Sequence, residues 1–293
     1  MNIVGHSGVI KELENIVHNN TIGHAYLFYG IDGIGKFLVA KYFAKALTCL
    51  NNKNGVPCEE CESCKTFNNT SDVLIVEPED GLIKVDKIRA TTDEIMLKPT
   101  VSIHKVIIIN DADCMNEQAQ NALLKVLEEP PQYATIILIA SNKEKLLKTI
   151  LSRTTTISFS PLSNDEIASV FSNEELNKEL LEYAGGSAGK YHKLADASYI
   201  DCILELQKVL NSSNLLEINT VITSLKKDKS VKENINEILD LLIVKLGSNL
   251  IENPTQKIKF IELVEEVRNN IKRNANFDTQ LDYLAIKIWE MNK

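Results

Sequence analysis

Two groups of residues in this sequence have types and spacings suited to chemistry. The first lies in Gly30-Ile31-Asp32-Gly33-Ile34-Gly35-Lys36, where Gly30, Gly35 and Lys36 fill the fixed positions of G-x-x-x-x-G-K and Gly33 adds a further flexible residue. Glycines let such a loop curl so that its N–H groups face phosphate oxygens, the following helix adds partial positive charge, and the lysine adds a full one. A Gly-rich strand-to-helix turn without a ligand is the plainer reading of the same residues. In the hydrolysing form of the loop the next residue is Ser or Thr, whose hydroxyl ligates Mg2+; here Phe37 stands there. A second defect accompanies it. The apolar run before Asn110-Asp111 ends on a neutral amide where a carboxylate normally helps hold the metal, and a shifted register would leave Asp111 or Asp113 to serve instead. The two substitutions predict that ATP or ADP binds weakly or not at all, and that metal-assisted hydrolysis is lost.

The second group is Cys49, Cys58, Cys61 and Cys64, four of the six cysteines, spaced C-x8-C-x2-C-x2-C. The last three can turn their thiolates toward one centre in a tight knuckle, and four thiolates suit tetrahedral Zn2+ with no open position, so the site reads as structural. An iron–sulfur cluster is the weaker rival, and disulfides are disfavoured in a reducing compartment. Cys114 and Cys202 stand apart and read as ordinary thiols.

These residues need a scaffold. Apolar runs at Tyr26–Tyr29, Val73–Val76, Val106–Ile109, Ile136–Ile139 and Thr155–Phe159 alternate with helical patterns, which predicts a five-stranded parallel sheet covered on both faces. After Pro161 no strand pattern occurs. A small helical unit fits Asn164–Ala197, with Gly185, Gly186 and Gly189 at a turn, and amphipathic stretches such as INEILDLLIVKLGSNLI and KFIELVEEVRNNIKRN follow. Their apolar faces either close a bundle or meet other subunits. The expected division is 1–160, 161–200 and 201–293. Among the 293 residues, 44% are hydrophobic and 25% charged, an ordinary composition for a soluble protein. Met1–Asn20 has no charged-then-apolar signal pattern and no run is long enough to span a membrane, so a cytoplasmic location without membrane partners is expected. A net charge of -8 argues against a chain that grips a DNA backbone unaided.

HAYLFYGIDGIGK, the four-cysteine insert, NALLKVLEEPP and LLKTILSR occur in that order. Together they resemble the clamp-loader branch of the AAA+ ATPases of bacterial DNA polymerase III. The resemblance covers roughly residues 1 to 200 with specific motifs, and the rest by length and helical character. It implies a P-loop (RecA-like AAA+) α/β domain, an all-α lid and an all-α collar. It also implies partners: other clamp-loader subunits of the tau/gamma and delta types, and, through the assembled complex, the sliding clamp and primed DNA. The family's Ser-Arg-Cys motif is Ser152-Arg153 here, with Thr154 in place of Cys, so Arg153 corresponds to the arginine finger that reaches a neighbour's ATP. Ser141 corresponds to the polar sensor of the γ-phosphate. Gly189 stands where active loaders carry a lid arginine. The resemblance implies a non-hydrolysing, stator-like subunit that completes a neighbour's site. The alternatives are an active motor of the tau/gamma type and a free-standing zinc-dependent binding module.

Overall fold

The computed structural model describes residues 3–171, 176–195, 197–248 and 254–293. Residues 172–175 and 196, inside the expected lid, and the end of INEILDLLIVKLGSNLI lie outside the described residues. The chain divides into two compact units, the first made of Met1–Glu175 with Gly185–Lys190, the second of Leu176–Ala184 with Tyr191–Lys293.

The first unit is built on strands β1 (Ala25–Tyr29), β2 (Val73–Val76), β3 (Lys105–Ile109), β4 (Ala134–Ala140) and β5 (Thr155–Ser158). They form one parallel five-stranded sheet in the order β2-β3-β4-β1-β5. All five expected strands are present, with shifts of one or two residues at their ends. β4 is longer than its aliphatic run because Ala134 and Thr135 also pair, opposite Lys105 and Val106. Helices α1 (Ser7–His18), α2 (Lys36–Thr48), α3 (Glu62–Lys65), α4 (Val85–Ile95), α5 (Glu117–Glu128), α6 (Lys148–Leu151) and α7 (Asn164–Val170) connect or follow the strands.

Alternation along each strand sorts the core onto two faces. Tyr26, Phe28, Val106, Ile108, Ile137 and Ile139 pack with Leu13, Val17, Val39, Phe43 and Leu47 of α1 and α2. Leu27, Ile107, Ile109, Ile136 and Leu138 pack with Ile88, Ile95, Leu123, Val126 and Ile150 of α4, α5 and α6. Because both faces are covered, the central strands are apolar except at Lys105 and Thr135 near the starts of β3 and β4, which is why they stand out as runs rather than alternations. Leu27 and Phe28 are both 0% exposed, and burying each stabilises the sheet by roughly 1.5–3 kcal/mol. One polar anchor shapes the sheet's edge. The buried Asp72 carboxylate accepts from the N–H groups of Thr100, Val101 and Ser102 at 2.7, 2.8 and 2.8 Å, which fixes the chain entering β3.

The second unit is helical: α8 (Lys178–Ala184), α9 (Ala188–Leu194, whose first residues belong to the first unit), α10 (Ala197–Leu210), α11 (Leu215–Lys227), α12 (Lys229–Ser248), α13 (Pro254–Lys272) and α14 (Phe277–Met291). The amphipathic faces turn inward in large part. Ile235, Leu239 and Leu242 of α12, Val264 and Val267 of α13, and Leu281 and Leu284 of α14 are buried, and Arg268 pairs with Asp240 between α13 and α12. Among the described residues no helix is long and apolar enough to cross a membrane.

Candidate nucleotide-interface and metal sites

β1 ends at Tyr29 and α2 begins at Lys36, so the glycine-rich residues bridge a strand end and a helix start, as the spacing predicts. The turn requires glycine twice. Gly33 and Gly35 have φ of 73° and 98°, a region that a side chain strains. Lys36 is only 5% exposed, and its Nζ donates to the carbonyls of Gly30 and Ile31 at 2.6 and 2.8 Å. The loop is thus formed, with its lysine seated inside it. Phe37 packs partly buried against the α1/α2 side of the core, with the Lys41 ammonium 4.3 Å from its ring centre. It presents no oxygen to a metal.

The surroundings of Lys36 are acidic. Asp32 lies 3.6 Å from its Nζ, and Asp111 and Asp113 also bear on it. Burial pushes the Lys36 pKa down, while the three carboxylates oppose that shift. Asp111 is pushed up, first by burial and then by the charges of Asp32 and Asp113. Asn110 donates to the Asp111 carboxylate at 3.2 Å, and Asp111 takes a left-handed backbone with φ of 48°. Sequence reading missed the partner of Ser141. Its hydroxyl donates to Asp113 at 3.1 Å, and the Asn142 N–H donates to the same oxygen at 3.1 Å, so the ends of β3 and β4 are joined through a buried carboxylate.

Gly189 is brought directly onto the loop. Its N–H donates to the Gly33 carbonyl at 2.9 Å, and the Ser187 hydroxyl donates to the Asp32 carbonyl at 2.7 Å. A Cβ on Gly189 would sit 2.9 Å from the Gly33 Cα, so an arginine at this position does not fit unless the loop moves. The missing side chain is therefore also what permits the close approach.

Arg153 follows α6, and its partners lie outside the loop. Its Nη1 donates to the Thr149 carbonyl at 3.0 Å and to the Ser152 hydroxyl at 3.3 Å, and its Nη2 lies 2.9 Å from the Glu128 carboxylate at the end of α5. Its side chain is 35% exposed. Gln120 is a second residue that sequence reading passed over. Its amide donates to the Met115 and Lys145 carbonyls at 3.1 and 2.9 Å, and its oxygen accepts from the Leu147 N–H at 2.8 Å. The signal was available: Gln120 shares a helix face with the buried Leu123 and Leu127, where a polar residue must find partners.

The four cysteine sulfurs all lie within 4.8 Å of one another. A tetrahedral Zn2+ with Zn–S bonds of about 2.3 Å places its sulfurs about 3.8 Å apart. Cys49 Sγ and Cys61 Sγ are 3.9 Å apart, and the N–H groups of Cys58 and Cys61 point at the sulfurs of Cys49 and Cys58, both at 3.3 Å. For Cys61, burial works against ionisation, but hydrogen bonds from the backbone at Cys64 and Leu50 and from neighbouring thiols outweigh it and bring its pKa to about 6. The donor set and spacing fit a metal ion that takes thiolates.

Comparison with known proteins bears on the family and the fold. A family model described as DNA polymerase III, delta subunit, matches residues 5–163. The tau/gamma subunit of DNA polymerase III from Haemophilus influenzae is 31% identical over 224 residues, which is 76% of this chain and 32% of that protein. The delta' subunit from Bacillus subtilis is 39% identical over 156 residues, 53% of this chain and 47% of that one. The chain thus spans about a third to a half of the length of these two curated relatives. A solved gamma subunit-related protein of Thermotoga maritima superposes with a TM-score of 0.60 at 22% identity, over 97% of this chain and 99% of that one, which establishes a shared fold. Carrying the sheet, the glycine loop and the matched motifs together, the chain belongs to the DNA polymerase III clamp-loader family.

Proposed function

We propose that this chain is a delta-prime-like, non-hydrolysing stator of the clamp loader, which supplies Arg153 to the ATP held by a neighbouring subunit. The surroundings of Lys36 carry this reading. One buried ammonium already faces Asp32, Asp111 and Asp113, no hydroxyl follows it, and Gly189 lies against Gly33. A polyphosphate brought there meets net negative charge, with Phe37 and Asn110 in place of two metal-holding oxygens. Arg153, by contrast, is a partly exposed cation outside that pocket, the chemistry that stabilises charge on a transferring γ-phosphate. Its partners in this role are tau/gamma- and delta-type subunits, and through them the sliding clamp and primed DNA, in the cytoplasm. Zn2+ held by Cys49, Cys58, Cys61 and Cys64 serves stability.

A second reading, an ATP-hydrolysing motor of the tau/gamma type, is favoured by the formed loop with Lys36 seated on Gly30 and Ile31. Complexes reconstituted with each variant separate the two. On the stator reading, Arg153→Ala lowers clamp- and DNA-stimulated ATPase by roughly 10^3-fold or more at the affected interface without preventing assembly, whereas Lys36→Ala changes little. A crippling Lys36→Ala beside a silent Arg153→Ala assigns the chain as a motor.

A further inference from the structure

We infer that Glu128 is the positioning residue for Arg153, holding the guanidinium in place before a neighbour's ATP arrives. The inference rests on the reading of Arg153 as a finger acting in trans. NALLKVLEEPP ends α5, and Glu128, its last helical residue, lies 2.9 Å from Arg153 Nη2. The carboxylate is fixed by its element. Leu123, Val126 and Leu127 on α5 are at most 2% exposed, and Gln120 ties the same helix to Lys145 and Leu147, immediately before α6. Arg153 leaves the other end of α6, where its own N–H is held by the Ile150 carbonyl at 3.0 Å. Both ends of the ion pair are therefore anchored to one rigid corner.

The donor count leaves the arginine able to act. A guanidinium has five N–H donors, and the contacts to Thr149, Ser152 and Glu128 use three. Two remain for an anion presented from outside the chain. A long arginine free in solvent samples many rotamers, and ordering it during each turnover raises the barrier; prior ordering removes much of that cost. An exposed ion pair adds little to stability, so its effect belongs in the rate of the neighbour's reaction rather than in this chain's folding.

The test uses the assembled clamp loader with ATP, together with the isolated chain. Glu128→Gln should lower kcat of the complex by about 3- to 30-fold with KM for ATP within about twofold, leave the chain's melting temperature unchanged, and recover in part with Glu128→Asp. In an Arg153→Ala background Glu128→Gln should add nothing, because the carboxylate acts only through that arginine. Independently of turnover, phenylglyoxal should modify Arg153 several-fold faster in the isolated Glu128→Gln chain than in the parent, followed by mass spectrometry. A Glu128→Gln complex as fast as or faster than the parent overturns the inference, as do loss of assembly, an undiminished effect without Arg153, or equal labelling rates. If Arg153→Ala is itself silent, the finger reading fails as well.

Discussion

His104 has a charge state that the fold decides. Its Nε2 lies 2.8 Å from the Thr135 hydroxyl, which donates its single hydrogen to the Gly23 carbonyl at 3.1 Å. Nε2 must therefore carry a proton in that contact, which leaves burial to decide whether Nδ1 carries one too. Burial pushes its pKa down to about 4, so between that value and about 6.5 the unfolded chain binds a proton that the folded one does not. Stability is full above about pH 6.5 and falls as the pH drops toward 4, by up to about 3 kcal/mol from this group. Urea titrations at pH 7.5, 6 and 5 should show a weaker acid loss in His104→Gln than in the parent; equal slopes would remove His104 from the account. The cysteine site makes its own residue-scale prediction. One Zn2+ per chain is expected on metal analysis, Cys61→Ser should release it, and chelation should lower the melting temperature. Iron in freshly purified protein, or no metal, overturns the zinc assignment.

At the scale of elements, Gln120 joins α5 to the stretch that enters α6. Three backbone groups, the Met115 and Lys145 carbonyls and the Leu147 N–H, depend on one buried amide. Gln120→Ala leaves them without that partner and should cost about 2–3 kcal/mol. Gln120→Glu should cost at least as much despite its matching shape, because a carboxylate set against two carbonyls replaces both donors with repulsion. Denaturant midpoints measure both, and a Glu variant as stable as the parent would contradict the bonding described. The elements themselves were legible where one physical rule dominated. Strands buried on both faces read as aliphatic runs, and the glycine loop read from spacing. Where β4 began was hidden because Thr135 is polar, although its hydroxyl is fully paired inside the sheet. The link from Asp113 to Ser141 was hidden for a different reason. It joins residues 28 apart in sequence, and they meet only because β3 and β4 are neighbours in a strand order that no local pattern specifies.

For the molecule as a whole, what matters is whether the chain's own loop ever holds nucleotide. The G-x-x-x-x-G-K pattern was legible from end to end, but the occupants of its surroundings come from far along the chain: Asp111 and Asp113 after β3, Ser187 and Gly189 beyond α7. Only the folded chain shows that three carboxylates face one lysine and that glycine meets glycine across the loop. A ligand that binds only the folded state stabilises it by RT ln(1 + [L]/Kd), about 2.7 kcal/mol at a hundredfold excess over Kd. In a chain of this size that raises the melting temperature by roughly 4 °C. We expect millimolar MgATP to move the melting temperature of the isolated chain by no more than about 1 °C, and phosphate release to stay at background. Asp32→Asn should enlarge the shift, because it removes the carboxylate nearest Lys36 and leaves the loop's backbone in place. A shift of several degrees in the parent chain, abolished by Lys36→Ala, would mean that the acidic surroundings do not exclude nucleotide and that the loop is a working site.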